Sequence, residues 1–332
     1  MSGIHYSPFF IYQIVCIIAF ISNRTMGCAI CKFGEQTVLF KDTLESAEWI
    51  LNGIHYDYVR CDHCGFIQSS PIPKQEELNA YYQHEYAYDW FQKNMFFKRW
   101  QARHRLFKVR NHLKNKKRVL DFGCGHGFFV QALTQKGFHA FGFDIGSDKI
   151  MHHNNGKITN RYRLSDYEEK DFDVITMWHV LEHMRDQDAV LEDLKARLHP
   201  GGTLIIAVPN TDSLSFKLTQ QKWGWLQQPY VHINHYNAAN LCSLLESKGF
   251  TIRSIRTSDT WDQNLYDLLI SLLFYRNKSR NTVRQYGDSG GGSLFFRINQ
   301  MVRLCFTPIS YFVSFLRRKR KEGNELLIIA NK

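Results

Sequence analysis

Long apolar runs are scarce in this sequence of 332 residues. The most apolar stretch near its beginning, residues 9–21, is interrupted only by Gln13 and is shorter than the about 17–25 residues of a membrane-spanning helix. It also lacks the basic residues and the small-residue cleavage site of a secretory signal peptide. We interpret residues 1–25 as an over-extended start with Met26 as the initiator; the alternative is an N-terminal anchor with Arg24 on the cytoplasmic side.

Acidic residues are also in short supply. The sequence has 31 Asp and Glu residues against 42 Lys and Arg residues, which gives a formal net charge of +11. Residues 93–118 hold eleven Lys or Arg and no acid, although a solvated helix face produces the same pattern. The charge favours an anionic partner, such as a membrane surface, a phosphorylated substrate or a nucleic acid, and does not choose among them.

The cysteines lack the pattern of a secreted disulfide framework. Four of the eight form two Cys-x-x-Cys pairs, which is a spacing typical of metal sites and favours the reducing cytoplasm. Four thiolates suit a closed tetrahedral site, so the sequence predicts a structural Zn²⁺ and no catalytic role for it; a redox role is the alternative. The spacer of 29 residues between the pairs requires an inserted hairpin. The predicted zinc ligands are Cys28, Cys31, Cys61 and Cys64.

From Val119 onward, predicted strands alternate with predicted helices. This order implies an α/β fold with a parallel sheet covered by helices on both faces. One predicted helix follows Asn237, which is a plausible cap. We divide the chain into an apolar segment (1–25), a zinc-ribbon-like module with four cysteines (26–75), a helical linker or lid (76–117), an α/β core (118–260), a helical insertion (261–322) and a final core strand (323–332).

The stretch RVLDFGCGHGFFVQ places three glycines, Gly123, Gly125 and Gly127, between a predicted strand and a predicted helix. A glycine-rich turn at this point lets a ligand approach the main chain and the helix N-terminus. The third glycine of a dinucleotide-binding fingerprint is absent, because position 128 is Phe. The turn therefore indicates a nucleoside cofactor without identifying it as a dinucleotide.

Two acids narrow the choice of cofactor. Asp121 precedes the glycine turn, where a carboxylate suits a cationic ligand and repels a pyrophosphate. Asp144 ends the next predicted strand, where a carboxylate can accept hydrogen bonds from both ribose hydroxyls. Together with the turn, these acids favour S-adenosylmethionine over a dinucleotide.

Four motifs, VLDFGCGHG, GFD, FDVITMWHVLEHMRD and LHPGGTLIIAVPN, resemble the motif series of class I S-adenosylmethionine-dependent methyltransferases. The branch that they resemble most is that of the 3-demethylubiquinone 3-O-methyltransferases, and the resemblance covers about residues 100–256 and the final strand. It implies a Rossmann-like sheet of seven strands, mostly parallel with the last strand antiparallel. The Cys pairs and QQPYVHINHYN resemble members that carry a zinc ribbon and act on sugars or other metabolites.

The resemblance also implies roles for residues. Gly123 and Gly125 would approach the methionine part of the cofactor, Asp144 would hold the ribose, and Trp178 would pack near the adenine or the methionyl part. An arginine stands twenty residues before the first glycine in the ubiquinone-type enzymes, and Arg103 occupies that place here. The complete predicted cofactor-binding set is Arg103, Asp121, Gly123, Cys124, Gly125, Gly127, Asp144, Ile145 and Trp178.

Four histidines are candidates for a general base that takes a proton from an acceptor hydroxyl. His179 and His183 share one face of the helix that we predict from WHVLEHM, with Glu182 as a further possible base on that face; His232 and His235 follow the fifth strand. For each of them, a structural role in capping or packing is the alternative. His179 stands where the ubiquinone-type enzymes carry an acid, which argues against the ubiquinone precursor itself as the acceptor.

The insertion 261–322 combines an apolar helix, LYDLLISLLFY, with a second one that we expect Pro308 to break. The segment ISYFVSFL then leads into five consecutive basic residues, 317–321. An apolar helix that ends in a basic cluster indicates peripheral association with the inner face of the cell membrane. A helical cap or a dimer interface is the alternative.

These observations predict a methyltransferase that acts on a small-molecule acceptor, such as a sugar, a phenol or quinone-like compound, or a lipid-linked precursor. O-methylation with a histidine base is the favoured chemistry. The alternatives are a zinc-ribbon RNA methyltransferase and a non-enzymatic zinc-ribbon adaptor. Residues 177–179 are Met-Trp-His, so the Asn/Asp-Pro-Pro-aromatic signature of base methylation is missing and nucleic acid is disfavoured as a partner.

Overall fold

The computed structural model describes residues 27–41, 56–84, 95–145, 157–160, 167–226, 231–260, 265–274 and 294–332. The segment that we interpret as an over-extended start or an anchor, residues 1–25, lies outside the described residues.

The described residues form eleven strands and eight α-helices. The strands are β1 (Gln36–Phe40), β2 (Asp57–Cys61), β3 (Ile67–Ser70), β4 (Arg118–Phe122), β5 (His139–Asp144), β6 (Lys157–Asn160), β7 (Phe172–Trp178), β8 (Leu198–Pro209), β9 (Asn234–His235), β10 (Thr251–Ser258) and β11 (Glu325–Asn331). The helices are α1 (Gln75–His84), α2 (Met95–Val109), α3 (Phe128–Thr134), α4 (Gln187–Arg197), α5 (Leu214–Thr219), α6 (Ala238–Ser247), α7 (Leu265–Phe274) and α8 (Leu294–Arg317).

The larger sheet has seven strands in the order β10-β11-β8-β7-β4-β5-β6. Strands β4 to β8 pair in parallel, whereas β11 lies antiparallel between β8 and β10. The predicted fold class, a Rossmann-like α/β sheet that is mostly parallel with an antiparallel last strand, is confirmed. The carboxyl ends of β4, β5 and β7 meet at one edge of this sheet, where ligands bind in such folds.

The hydrophobic core lies on both faces of the larger sheet. Successive residues of one strand point to opposite faces, so Val119 packs in one cluster with Phe129, while Leu120 packs in the other with Leu244. The central strands β4, β5 and β7 are accordingly largely apolar and buried, as expected of a parallel sheet covered on both sides. Packing on both faces fixes the position of β4, and with it the glycine turn that follows this strand.

The smaller sheet has the order β1-β2-β3-β9 and combines two distant parts of the chain. Its first three strands belong to the Cys-bearing segment, whereas β9 follows β8 in the α/β core. Ile67 of β3 is opposite His235 of β9, and the Ser69 amide donates to the Ile233 carbonyl at 2.9 Å. The Cys-bearing segment is therefore hydrogen-bonded directly to the loop that carries two of the candidate histidines.

Helix α6 begins as predicted, with Asn237 as its N-cap. The Asn237 side chain accepts from the Asn240 amide at 2.9 Å, and the Asn240 side chain accepts from the Asn237 amide at 3.0 Å. This reciprocal pair satisfies two amide groups that the first turn of a helix leaves without partners.

The prediction of a helix over WHVLEHM is wrong. Strand β7 runs through Trp178, His179 then adopts a positive φ of 57°, and only a short 3-10 turn, Leu181–His183, follows. The His179 amide donates to the Ala207 carbonyl at 2.8 Å, which extends the sheet by one bond and delays the next helix. Helix α4 begins only after Asp186, whose side chain caps it.

The prediction that Pro308 breaks its helix is also wrong, because α8 runs continuously through it. Proline removes one intrahelical hydrogen bond but tolerates helical φ, and the neighbouring Thr307 hydroxyl donates to the Arg303 carbonyl at 3.0 Å. Within the part of the chain that the structure describes, none of the helices combines the length and apolar character needed to cross a membrane.

Candidate active site

The glycine turn connects β4 to α3 at the edge of the sheet where the carboxyl ends of β4, β5 and β7 meet. Gly123, Gly125 and Gly127 have positive φ values of 74°, 50° and 73°, a region that side chains with a Cβ rarely adopt. A Cβ atom on Gly123 would also lie 2.3 Å from Cγ2 of Val180. The turn is tied to the sheet, since the Gly123 and Cys124 amides both donate to the Phe143 carbonyl, at 2.7 and 3.0 Å.

Asp144 ends β5 beside this turn, and one of its carboxylate oxygens accepts from the Gly125 amide at 2.7 Å. The side chain is buried, so the bond fixes the carboxylate in place at the mouth of the turn. Ile145 follows it and is half-buried. The structure therefore brings the predicted ribose-binding acid and the glycines together.

Asp121 lies at the end of β4 and accepts from the Thr176 hydroxyl at 2.8 Å. Burial raises the pKa of its carboxyl to about 7, an effect strengthened by the charge of Asp144 and opposed by Thr176 and Arg105. A cation placed beside this carboxyl favours its ionised form. Two acids at one buried edge thus make a site suited to a positively charged ligand.

Arg105 is a residue of this site that the sequence analysis missed. Its guanidinium lies 5.1 Å from the centroid of the Trp178 ring, and Trp178 packs edge-on against Phe129. The side chain of Arg103, by contrast, is exposed. The buried positions Gln101 and Val109 are each four residues from Arg105 along α2, a helical spacing that could have identified it.

His179 sits between two carboxylates. Its Nε2 atom lies 3.1 Å from Glu325 and its Nδ1 atom 3.3 Å from Glu182, and the ring stacks on Trp225 with centroids 5.0 Å apart. Burial lowers the pKa of His179, but the two carboxylates outweigh it and raise the value to about 9. His179 is therefore a cation at neutral pH and cannot accept a proton.

Glu325 is held by a second cation. The Nζ atom of Lys108 lies 2.6 Å from Glu325, and Lys108 and His179 together keep the pKa of this buried carboxyl below its usual range despite desolvation. Lys108, Glu325, His179 and Glu182 form a chain of alternating charges, which we name the buried charge chain. It connects α2, β11 and the end of β7.

His183 and His232 form a pair, with ring centroids 4.7 Å apart. Burial lowers the pKa of both rings, so both are neutral at pH 7. Nδ1 of His183 lies 2.9 Å from the Val231 carbonyl, which can only accept, so this nitrogen carries the proton and the basic lone pair is on Nε2. His232 also packs edge-on against Trp225.

His235 occupies a different environment from the other candidates. It belongs to β9, is fully buried, and packs against Tyr58 and Trp223. Burial lowers its pKa to about 4. The structure thus brings His179, His183 and His232 together and places His235 in the core of the smaller sheet.

The four predicted zinc ligands form one cluster in which all sulfur atoms lie within 4.8 Å of one another. The Sγ atoms of Cys28 and Cys64, and those of Cys31 and Cys61, are 3.5 Å apart. Zinc–sulfur bonds of about 2.3 Å in a tetrahedron place sulfurs about 3.8 Å apart, so the donor set fits a structural zinc ion. The Cys64 carbonyl accepts from the Asn240 side chain at 3.4 Å, which joins the cluster to the start of α6.

A sequence model of the methyltransferase domain family matches residues 82–255, more than half of the chain. The chain belongs to this family. The resemblance drawn from the four motifs is thereby confirmed, and the matched region contains the glycine turn, the two acids and the histidine pair.

Individual relatives resemble this methyltransferase-family chain over part of its length. It is 25% identical over 154 residues to a ubiquinone biosynthesis O-methyltransferase of Aeromonas salmonicida, a match that covers 42% of this chain and 65% of that one. It is 33% identical over 109 residues to the protein of the same name from a Bradyrhizobium species, which covers 30% of this chain and 43% of that one. The chain therefore spans between about two fifths and two thirds of these relatives.

A solved structure resembles it as well. The crystal structure of a SAM-dependent methyltransferase from Archaeoglobus fulgidus aligns over 73% of this chain and 99% of that one, with 21% identity and a TM-score of 0.47.

Proposed function

We propose that this protein is an S-adenosylmethionine-dependent O-methyltransferase that acts on a small-molecule acceptor. The observation that carries the proposal is the glycine turn, with two buried acids at its edge and family membership established over the same residues. A dinucleotide is disfavoured because the turn has Phe128 in place of the third glycine and has Asp121 where a pyrophosphate would be repelled.

The residues of the turn fit the proposed cofactor. The Asp144 carboxylate, which accepts from the Gly125 amide, would accept hydrogen bonds from ribose hydroxyls, and the ring of Trp178 would pack against an aromatic or methionyl group. Asp121 would stabilise the positive sulfonium. When bound, S-adenosylmethionine supplies an electrophilic methyl group, and the protein has to orient it and manage one proton.

His183 is the best supported general base among the four candidates. It is neutral because burial lowers its pKa, its basic nitrogen is Nε2, and it lies three residues after Val180, which contacts the glycine turn. Nε2 would take the proton of the acceptor hydroxyl, and the hydroxyl oxygen would receive the methyl group that S-adenosylmethionine supplies when bound. His179 is already protonated and would position the neighbouring Trp225.

The acceptor belongs to one of three classes: a sugar, a phenol or quinone-like compound, or a lipid-linked precursor. The relatives named for ubiquinone biosynthesis favour a phenol, whereas a lipid-linked acceptor would require the enzyme to reach a membrane surface. We place the enzyme in the cytoplasm, because the four clustered thiols suit a reducing compartment and a structural Zn²⁺.

Calorimetric titration with S-adenosylmethionine, S-adenosylhomocysteine and NADH tests this proposal. We expect micromolar binding of both sulfur nucleosides and a loss of about tenfold or more in affinity for Asp144→Ala, because a charged hydrogen-bond acceptor is removed. The matched control is Glu168→Ala, which removes an exposed acid. Binding of NADH instead, or unchanged affinity in Asp144→Ala, would contradict the proposed cofactor site.

A further inference from the structure

Helix α8 has its apolar face turned toward solvent. Six large apolar side chains lie along one row of this helix, and each is between 52% and 63% exposed. Their spacing follows the helical repeat, with the exposed Cys305 and Pro308 filling the row between them. A helix that packs on a globular core normally buries its apolar face. Helix α8 instead exposes its apolar face to solvent. The six residues, which we name the apolar row, are Ile298, Met301, Ile309, Phe312, Phe315 and Leu316.

The opposite face of α8 is polar and buried. Thr307, Ser310 and Ser314 are at most 8% exposed. The Ser310 hydroxyl donates to the Asp259 carboxylate and accepts from the Leu265 amide, and the Ser314 hydroxyl accepts from the Asp259 amide at 3.2 Å. Rolling the helix to bury the apolar row would break all these bonds, so the outward orientation is specified by the protein.

The apolar row ends in positive charge. Helix α8 contains no acidic residue, and Lys319, Arg320 and Lys321, which begin two residues after its end, are exposed. Arg317 pairs with Glu322, whereas the side chains of the three exposed residues extend into solvent. An apolar face bordered by cations is complementary to a surface with acyl chains below and anionic headgroups above.

We infer that α8 lies in the headgroup layer of an anionic membrane surface, with the apolar row toward the acyl chains. A second copy of the chain would bring the same positive charge and no acid on α8 to pair with it, whereas anionic lipid supplies the missing charge. At 24 residues, α8 is about 36 Å long, enough for a continuous contact along the surface. The inference rests on the proposed function, because it favours the lipid-linked class of acceptor. Membrane binding can nevertheless be measured on its own, since the assay requires no methyl transfer.

Flotation of the full chain with vesicles tests this inference. One set of vesicles consists of phosphatidylcholine alone and the other also contains phosphatidylglycerol. We expect binding to the second set that weakens as salt rises, and a loss of at least about tenfold in the variant Phe312→Ser/Phe315→Ser. Lys319→Glu/Lys321→Glu should lose the preference for phosphatidylglycerol. The control Leu218→Ser replaces an equally exposed leucine on α5 and should bind normally.

Two outcomes would overturn the inference. One is equal vesicle binding by the native chain and Phe312→Ser/Phe315→Ser. The other is no vesicle binding by a native dimer that this variant converts to monomer, which would assign the row to a second copy. Titration of each preparation with S-adenosylmethionine, which should bind all variants equally, confirms correct folding and separates failure of the surface from failure of the cofactor site.

Discussion

At the scale of single residues, the glycine turn combines two separate constraints. Gly137, after α3, has a positive φ of 84° and open space where a Cβ would lie, whereas Gly123 has a positive φ and Val180 against it. The two positions therefore form a matched pair in which only the steric contact differs.

We expect Gly137→Ala to lower the free energy of unfolding by about 1–2 kcal/mol, the cost of a left-handed backbone for a residue with a Cβ. Gly123→Ala should cost about 1–3 kcal/mol more, because its new methyl group overlaps Val180. Adding Val180→Ala removes both methyl groups that cause the overlap and should recover most of that extra loss. Denaturant unfolding of the wild type, Gly137→Ala, Gly123→Ala and Gly123→Ala/Val180→Ala measures these differences. Equal losses in the two single variants would show that Val180 moves aside without a cost in stability.

The histidine pair gives a second prediction at this scale. His183→Gln should lower kcat by about 10²–10⁴ because no other group takes the proton, whereas His232→Gln should lower it less. The wild-type kcat should fall as pH falls through the pKa of His183, which burial holds below its ordinary value, since only the neutral ring is a base. A larger loss in His232→Gln would transfer the role of base to that residue.

At the residue scale, the sequence identifies the local geometry that the structure describes where the signal is local. The glycine turn, Asp144 and the Asn237 cap are each recognised within a few neighbouring positions. The environment of His179 was inaccessible because Glu325 lies 146 positions away. Without that contact, His179 resembles any other candidate base, and its raised pKa cannot be foreseen. Arg105 was missed because the family spacing led to Arg103, two positions away on another face of α2.

At the scale of elements, strand β9 connects the Cys-bearing segment to the loop that carries His232. It pairs with β3, and the Tyr58 hydroxyl on β2 donates to the His232 carbonyl at 3.2 Å. The strands of the Cys-bearing segment thus support the backbone of the loop that carries His232, one member of the histidine pair. The sequence predicted an inserted hairpin between the Cys pairs, but a two-residue strand such as β9 has too short a pattern to be recognised or to reveal its partner.

Removing metal should therefore weaken acceptor binding more than cofactor binding. We expect a chelator, or Cys31→Ser, to accelerate hydrogen exchange at the Ser69 amide, which donates to Ile233, and to raise KM for the acceptor with little change in the affinity for S-adenosylmethionine. Cys242→Ser is the matched control, because this cysteine lies outside the cluster. Unchanged exchange at Ser69 after complete metal removal would show that β3 and β9 are held together without the ion.

At the scale of the whole molecule, the buried charge chain makes stability depend on pH. The folded-state pKa of His179, about 9, exceeds the about 6.5 of an unfolded chain. Its contribution is therefore fully present below about pH 6.5 and is lost as pH rises through about 9. The difference between the folded-state and unfolded-state pKa of His179 corresponds to about 3 kcal/mol in the free energy of unfolding.

Denaturant unfolding between pH 7 and pH 9.5 checks the sign and the size of this effect. The matched variant is His179→Asn, because asparagine tolerates the positive φ at this position and does not titrate. We expect the wild type to be more stable by a margin that shrinks as pH rises. Parallel stability curves for the two proteins would mean that His179 is already neutral at pH 7.

The position of β11 in the larger sheet has a consequence for the order of folding during synthesis. Strands β8 and β10 leave the ribosome before β11, yet β11 lies between them and satisfies an edge of each. Until it arrives, both strands present open edges whose backbone groups other chains can pair with. Because Glu325 belongs to the same strand, the ion pair that charges His179 also forms last. A nascent chain thus completes both the larger sheet and the buried charge chain in a single late event.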